Sequence, residues 1–159
     1  FDPDEIWSNA VEKIVKFIKN GESVVLLCLG DTSLFASSSN ILRIIKHNYP
    51  EIITKTIPGI SSLSATAALN DFDLVKKGET LIIKECPSSN SELTSLIKES
   101  RENKTVLAIM KIGKRWNLVR ETLKKEDIIK KSLIALSVGT PDQIIKYASQ
   151  YNKLSLIHI

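Results

Sequence analysis

The chain has 159 residues, 43% of them hydrophobic and 25% charged, with a formal net charge of +4. That length accommodates one ordinary domain or two small ones, and the composition excludes a disordered, collagen-like or low-complexity chain. The lysines are dispersed rather than gathered into a stripe with stacking aromatics, so a nucleic-acid partner is not expected, and no apolar run is long enough to span a bilayer.

In chain order, Asp4 is placed to cap a first helix, with Ile6, Ala10, Ile14, Phe17 and Ile18 at helical spacing and Trp7 and Val11 widening the stripe. Gly21 suits the left-handed position just beyond that helix. Residues 24–29 are apolar without alternation, which predicts a strand buried on both faces. A helix over 35–47 turns Ile41, Leu42 and Ile45 inward. Residues 52–57 then read as a second strand, stopped by Pro58-Gly59, and the Ala-rich stretch 64–69 as a helix small enough to lie close on a sheet.

Residues 70–78 are polar, charged and without periodicity, and read as a linker. A strand at 80–84 follows, then a polar loop in which Ser89 and Glu92 form a capping box for a helix through about Ser100. Residues 105–110 predict another buried strand, followed by the basic loop Lys111-Ile-Gly-Lys-Arg115. A helix is expected over 116–123 and a strand over 133–138. Thr140-Pro-Asp-Gln143 reads as a helix start, with Thr140 as cap, Pro141 in the first turn and Gln143 completing the box. Residues 154–159 have the character of a closing strand. Alternating strands and helices predict an α/β protein, divided near residue 75 into a first domain of 1–75 and a second of 76–159.

Two strand-to-loop junctions stand out, Gly30-Asp31 and Pro58-Gly59-Ile-Ser-Ser62. In an open parallel sheet, ligands gather at the carboxyl ends of the strands. Gly30 permits close backbone approach, Asp31 would accept hydrogen bonds from a ligand's amine or hydroxyls, and Ser61 and Ser62 add hydroxyls at a helix start. A simple turn and helix cap explains the same residues equally well. Met110 closes a buried strand and reads as core; Lys111, Lys114 and Arg115 read as solvated charge or as contacts to an anionic substrate. The second junction lacks the Gly-Lys-Ser/Thr of a phosphate loop, no Ser sits in a G-x-S-x-G elbow, and His47 and His158 have no triad context. Cys28 and Cys86 belong to no C-x-x-C pair, so a structural metal is not expected, and two free thiols suit a reducing cytoplasm. On the residues alone, a nucleotide-binding α/β module without catalysis remains an open alternative.

Taken in order, the motifs resemble the tetrapyrrole methylase family: Gly30-Asp31-Thr-Ser-Leu-Phe35 after a strand, Pro58-Gly-Ile-Ser-Ser62 running into the Ala65 to Ala68 stretch, Met110-Lys111 at a strand end, and Thr140-Pro-Asp-Gln143. The resemblance spans nearly the whole chain. It implies a two-lobed α/β fold with an interdomain cleft, a homodimer, and methyl transfer from S-adenosylmethionine to a ring carbon of a reduced tetrapyrrole. It places Leu29, Gly30, Asp31 and Leu34 in the S-adenosylmethionine pocket, with Ser61 and Ser62 from the second loop and Met110, Val138 and Gly139 from the second lobe. It names no catalytic residue and no metal ligand. Two departures matter. Thr32 stands where many relatives have Pro, which is expected to loosen the first loop. The family's N-terminal Gly-Pro-Gly-Asp motif and its strand have no counterpart here, so an incomplete first lobe and a partly built substrate trough are expected.

Overall fold

The computed structural model describes residues 3–151, and the chain divides into two compact units, Phe1–Ser61 and Ser62–Ile159.

In the first unit, α1 (Pro3–Lys19) and α2 (Ser38–Asn48) pack their apolar stripes on each other. Val11 and Val15 of α1 and Ile45 of α2 are buried, with Ile14, Ile41, Ile44, Tyr49 and Ile52 around them. Lys19 lies 5.6 Å above the Tyr49 ring, a cation–π contact at the edge of this core. Beyond α1, Gly21 adopts φ +84°. Its N–H donates to the Ile18 carbonyl at 2.9 Å, and the Glu22 N–H donates to the Phe17 carbonyl at 3.2 Å. This double closure is a Schellman motif, the expected role for Gly21. The second helix starts at Ser38 rather than near 35, because Phe35 sits at φ 54°, outside the right-handed helical region.

The two strands expected in this unit do not form. Residues 24–29 and 52–57 pair in no ladder among the described residues, and Leu27 and Ile53 are 92% and 97% exposed. A run that is apolar on both faces needs cover on both faces and pairing partners at its edges. The helices of this unit direct their stripes at each other and provide neither.

The second unit is α/β. It opens with α3 (Ser62–Leu69), and β1 (Thr80–Glu85), α4 (Asn90–Glu102) and β2 (Thr105–Met110) follow as a β-α-β crossover. β1 and β2 are parallel, in register from Thr80 opposite Thr105 to Glu85 opposite Met110. The α4 start is as predicted: the Ser89 hydroxyl accepts from the Glu92 N–H at 3.3 Å. Next comes α5 (Trp116–Lys125), packed against α4. The core gathers Cys86, Leu93, Ile97, Trp116, Val119, Ile134, Ala148 and Tyr151, with Leu93 only 1% exposed. Trp116 and Tyr151 meet edge to face, with ring centroids 5.5 Å apart.

The remaining strands, β3 (Leu133–Leu136) and β4 (Ile144–Tyr147), form an antiparallel pair. Ser137 ends β3 two residues early by taking φ 48°. No helix begins at Thr140. The cap-like bonds exist, because the Gly139 N–H donates to the Gln143 side-chain carbonyl at 2.8 Å and the Thr140 hydroxyl donates to the Ser137 carbonyl at 2.8 Å. They close a hairpin turn instead, with the Gln143 N–H donating to the Thr140 carbonyl at 3.1 Å. Pro followed by Asp serves a β-turn as well as a first helical turn, and the Ile144-Ile145 pair then continues as strand. The expected closing strand at 154–159 lies outside the described residues.

The division between units falls at Ser61–Ser62 rather than near residue 75. The reason lies in the stretch read as a linker. The Asn70 side-chain amide donates to the Thr66 carbonyl and the Phe72 N–H to the Ala67 carbonyl. Phe72 and Leu74 line the same cavity as α3 and β2.

Candidate functional site: two loop clusters and a cleft

The first cluster lies in the first unit, where the two junction loops touch. Gly30 has φ +79°, and a Cβ on Gly59 would collide with the Gly30 carbonyl oxygen. Both glycines are therefore required by the close approach of the two loops. The Thr32 hydroxyl donates to the Ile57 carbonyl at 3.0 Å and ties the loops together. Thr32 was expected to loosen the loop; a hydroxyl that Pro lacks instead fastens it. Sequence reasoning missed this residue, and its signal was the replacement of a rigid residue by one that can donate.

Asp31 is held by its own loop. Its Oδ1 accepts from the Ser33 N–H at 2.8 Å and from the Ser33 hydroxyl at 2.6 Å. These two bonds hold the carboxyl below the usual aspartate range, so Asp31 is ionised at neutral pH. Leu29 is 96% exposed, whereas Leu34 and Ser61 are half-buried.

The second cluster lies at the carboxyl end of β2. Met110 is half-buried and lines a cavity of about 720 Å³, whose wall also includes Ser62 at the start of α3. Arg115 does not reach outward for an anion. Its guanidinium donates to the Lys111 carbonyl at 3.1 Å and lies 3.8 Å from the Glu85 carboxylate, bracing the loop that follows Met110. Lys114 remains exposed. Val138 and Gly139 sit in the β3–β4 turn, Gly139 at φ +84° with its N–H on Gln143. Neither is among the residues lining the cavity.

Six non-glycine residues take positive φ: Phe35, Asp71, Lys104, Lys111, Asp127 and Ser137. Asp71, Lys104 and Asp127 each occupy the left-handed position after α3, α4 or α5, an ordinary helix ending. Phe35, Lys111 and Ser137 have no such role. They adjoin the Gly30 loop, Met110 and Val138, so the backbone strain unexplained by helix ends falls beside candidate site residues.

Comparison with known proteins gives this geometry a family. The family model for Tetrapyrrole (Corrin/Porphyrin) Methylases matches residues 2–149. A probable cobalt-precorrin-2 C(20)-methyltransferase from Methanocaldococcus jannaschii is 35% identical over 77 residues, which is 48% of this chain and 31% of that protein. The cobalt-precorrin-2 C(20)-methyltransferase from Salmonella typhimurium is 20% identical over 142 residues, covering 89% of this chain and 57% of the relative. Two solved structures share the fold. A putative cobalamin synthesis related protein (CobF) from Corynebacterium diphtheriae has a TM-score of 0.64 at 19% identity, over 91% of this chain and 58% of that one. The methyltransferase CobJ gives 0.61 at 23% identity, over 92% of this chain and 63% of that one. The chain thus spans less than two thirds of the length of each of these proteins. It belongs to the tetrapyrrole (corrin/porphyrin) methylase family.

Proposed function

We propose that the protein carrying this chain transfers a methyl group from S-adenosylmethionine to carbon 20 of precorrin-2, or of its cobalt-bearing form, in cobalamin biosynthesis. The observation that carries the choice within the family is that both curated relatives are named for C(20) methylation, one of them aligning with 89% of this chain. Both names specify the cobalt-bearing ring, in which cobalt belongs to the substrate. A homodimer in the cytoplasm completes the reading.

The residues present suit this cosubstrate. Two loops packed without room for a Cβ leave backbone groups accessible, and an ionised Asp31 accepts hydrogen bonds from ligand hydroxyls. Leu29, Gly30, Asp31, Leu34 and Ser61 would hold it from the first unit; Ser62, Met110, Val138 and Gly139 would do so from the second. The cosubstrate would bring a methyl already activated by its sulfonium. What remains for the protein is orientation. Gly30 and Gly59 fix the loop path, Thr32 locks one loop on the other, and Arg115 braces the turn after Met110. Holding reactants in near-attack geometry contributes on the order of 7–11 kcal/mol in favourable cases. An electron-rich ring carbon attacking a sulfonium methyl requires no nucleophilic side chain, in keeping with the absence of a triad pattern from the sequence.

Isothermal titration of S-adenosylhomocysteine into the full-length gene product tests the pocket. Binding is expected, and its absence refutes the reading. Asp31→Ala should weaken binding about tenfold or more, because hydrogen bonds to charged groups contribute about 1.5–3 kcal/mol. Asp31→Asn retains an acceptor for Ser33 and separates loss of charge from loss of loop order; unchanged affinity in both variants removes Asp31 from the site. Incubation with labelled cosubstrate and either precorrin-2 or cobalt-precorrin-2, followed by NMR, locates the methyl. Label on another ring carbon assigns a different corrin methylase. No transfer to either ring, with cosubstrate binding intact, points to another family activity such as diphthine synthesis. Preference for a mononucleotide over S-adenosylhomocysteine in a thermal-shift panel would indicate a non-catalytic nucleotide-binding module.

A further inference from the structure

The cavity of the second unit runs between two strands. Its lining includes every residue from Thr105 to Met110 and every residue from Lys131 to Leu136. Successive side chains of a strand point to opposite faces. A wall made of consecutive residues is therefore a strand edge, where backbone N–H and C=O groups face the gap. β2 pairs on one side with β1, and β3 pairs on one side with β4. The cleft thus lies between two free strand edges and is roofed by Leu63, Phe72 and Leu74. Free edges beside an apolar cleft carry unpaired polar backbone, and an added strand satisfies it.

We infer that this cleft is a strand-acceptor site and that residues 154–159 of the same chain are the strand it takes. The described chain reaches Tyr151, which is 4% exposed and packs its ring on Trp116, itself a lining residue of the cleft. Only Asn152 and Lys153 separate that anchor from Leu154-Ser-Leu-Ile-His-Ile159, which contains no Pro, Gly, Lys, Arg, Asp or Glu. Six residues of strand extend about 20 Å, matching the six residues of β2. The apolar walls, including Leu107, Ile109, Ile134 and Leu136, suit such a segment better than a charged one. Docking there joins the β1–β2 and β3–β4 pairs into one sheet and makes the C-terminal residues part of the frame that supports Met110. The inference concerns assembly of the second unit and holds whether or not the protein transfers methyl groups.

Hydrogen exchange read by mass spectrometry on the full chain tests it. Amides of β2 and β3 that do not pair with β1 or β4 are expected to be protected together with those of Leu156 and Ile157. A chain ending at Lys153 should lose that edge protection by roughly tenfold or more, and a synthetic peptide of residues 152–159 should restore it. Because the shortened chain could fail to fold, the unmodified chain supplies an independent reading: unprotected exchange at Leu156 and Ile157 overturns the inference. Edge protection that disappears on dilution into monomer assigns the cleft to a second copy and also overturns it. So does edge protection unchanged by truncation in a monomer.

Discussion

The two units treat similar sequence in opposite ways. Residues 105–110 and 24–29 are both short apolar runs ending beside a candidate loop. The first is β2, paired in register with β1 and covered by α4. The second pairs with nothing among the described residues and leaves Leu27 and Leu29 almost wholly exposed. The difference teaches that a buried-strand pattern specifies a need rather than a structure. The pattern becomes a strand where neighbours meet that need, here through a β-α-β crossover whose helix lies on the sheet. The candidate loops are accordingly held by different means. A ladder and Arg115 fix the loop after Met110, whereas loop-to-loop contacts at Gly30, Gly59 and Thr32 fix the other.

Substitutions can break this contrast. The largest effect is expected from Leu93→Ala, which empties the centre of the second core and should cost about 2–5 kcal/mol in chemical denaturation. A smaller cost would mean that the second unit is as loosely packed as the 24–29 stretch. Gly59→Ala drives a methyl into the Gly30 carbonyl and should destabilise the first unit by about 1–3 kcal/mol. Segment-resolved hydrogen exchange should place that loss around residues 30–33 and 57–60, and a silent Gly59→Ala would show that the loops do not touch. Thr32→Val removes the hydroxyl bond to Ile57 and should cost about 0.5–1.5 kcal/mol, read the same way. Leu27→Ser should lie within about 0.5 kcal/mol of the parent chain, as exposed positions do. A large loss at Leu27 would reveal a covering element and erase the contrast between the units.

Much of the second unit was legible beforehand because its signals are local. The Ser89–Glu92 capping box, the β2 run and the helix from Trp116 each depend on neighbours within a turn or a strand. The Thr140 box was legible as chemistry but not as structure. Its hydrogen bonds form as a cap would form them, yet a β-turn satisfies the same donors and the following Ile-Ile pair continues as strand. Of the candidate site, Gly30 and Gly59 could be picked out from sequence as loop glycines, but their mutual contact could not, because nothing in either motif encodes its distance from the other. The same holds for Thr32 and Arg115, whose partners lie on another segment or depend on how the chain turns.

By itself, the sequence determined the α/β class, the helices and their caps, the paired strands of the crossover, and an ordered motif set specific enough to indicate a family. These rest on short-range propensity and on the order of residues, which survive without a partner. Only the tertiary structure decided which apolar runs became strands, where the units divide, that Asp31 binds its own loop through Ser33, and that β2 and β3 leave facing free edges. Each of those outcomes turns on whether a distant segment arrives to pair, cover or accept a hydrogen bond, and a linear pattern states the demand without naming the supplier.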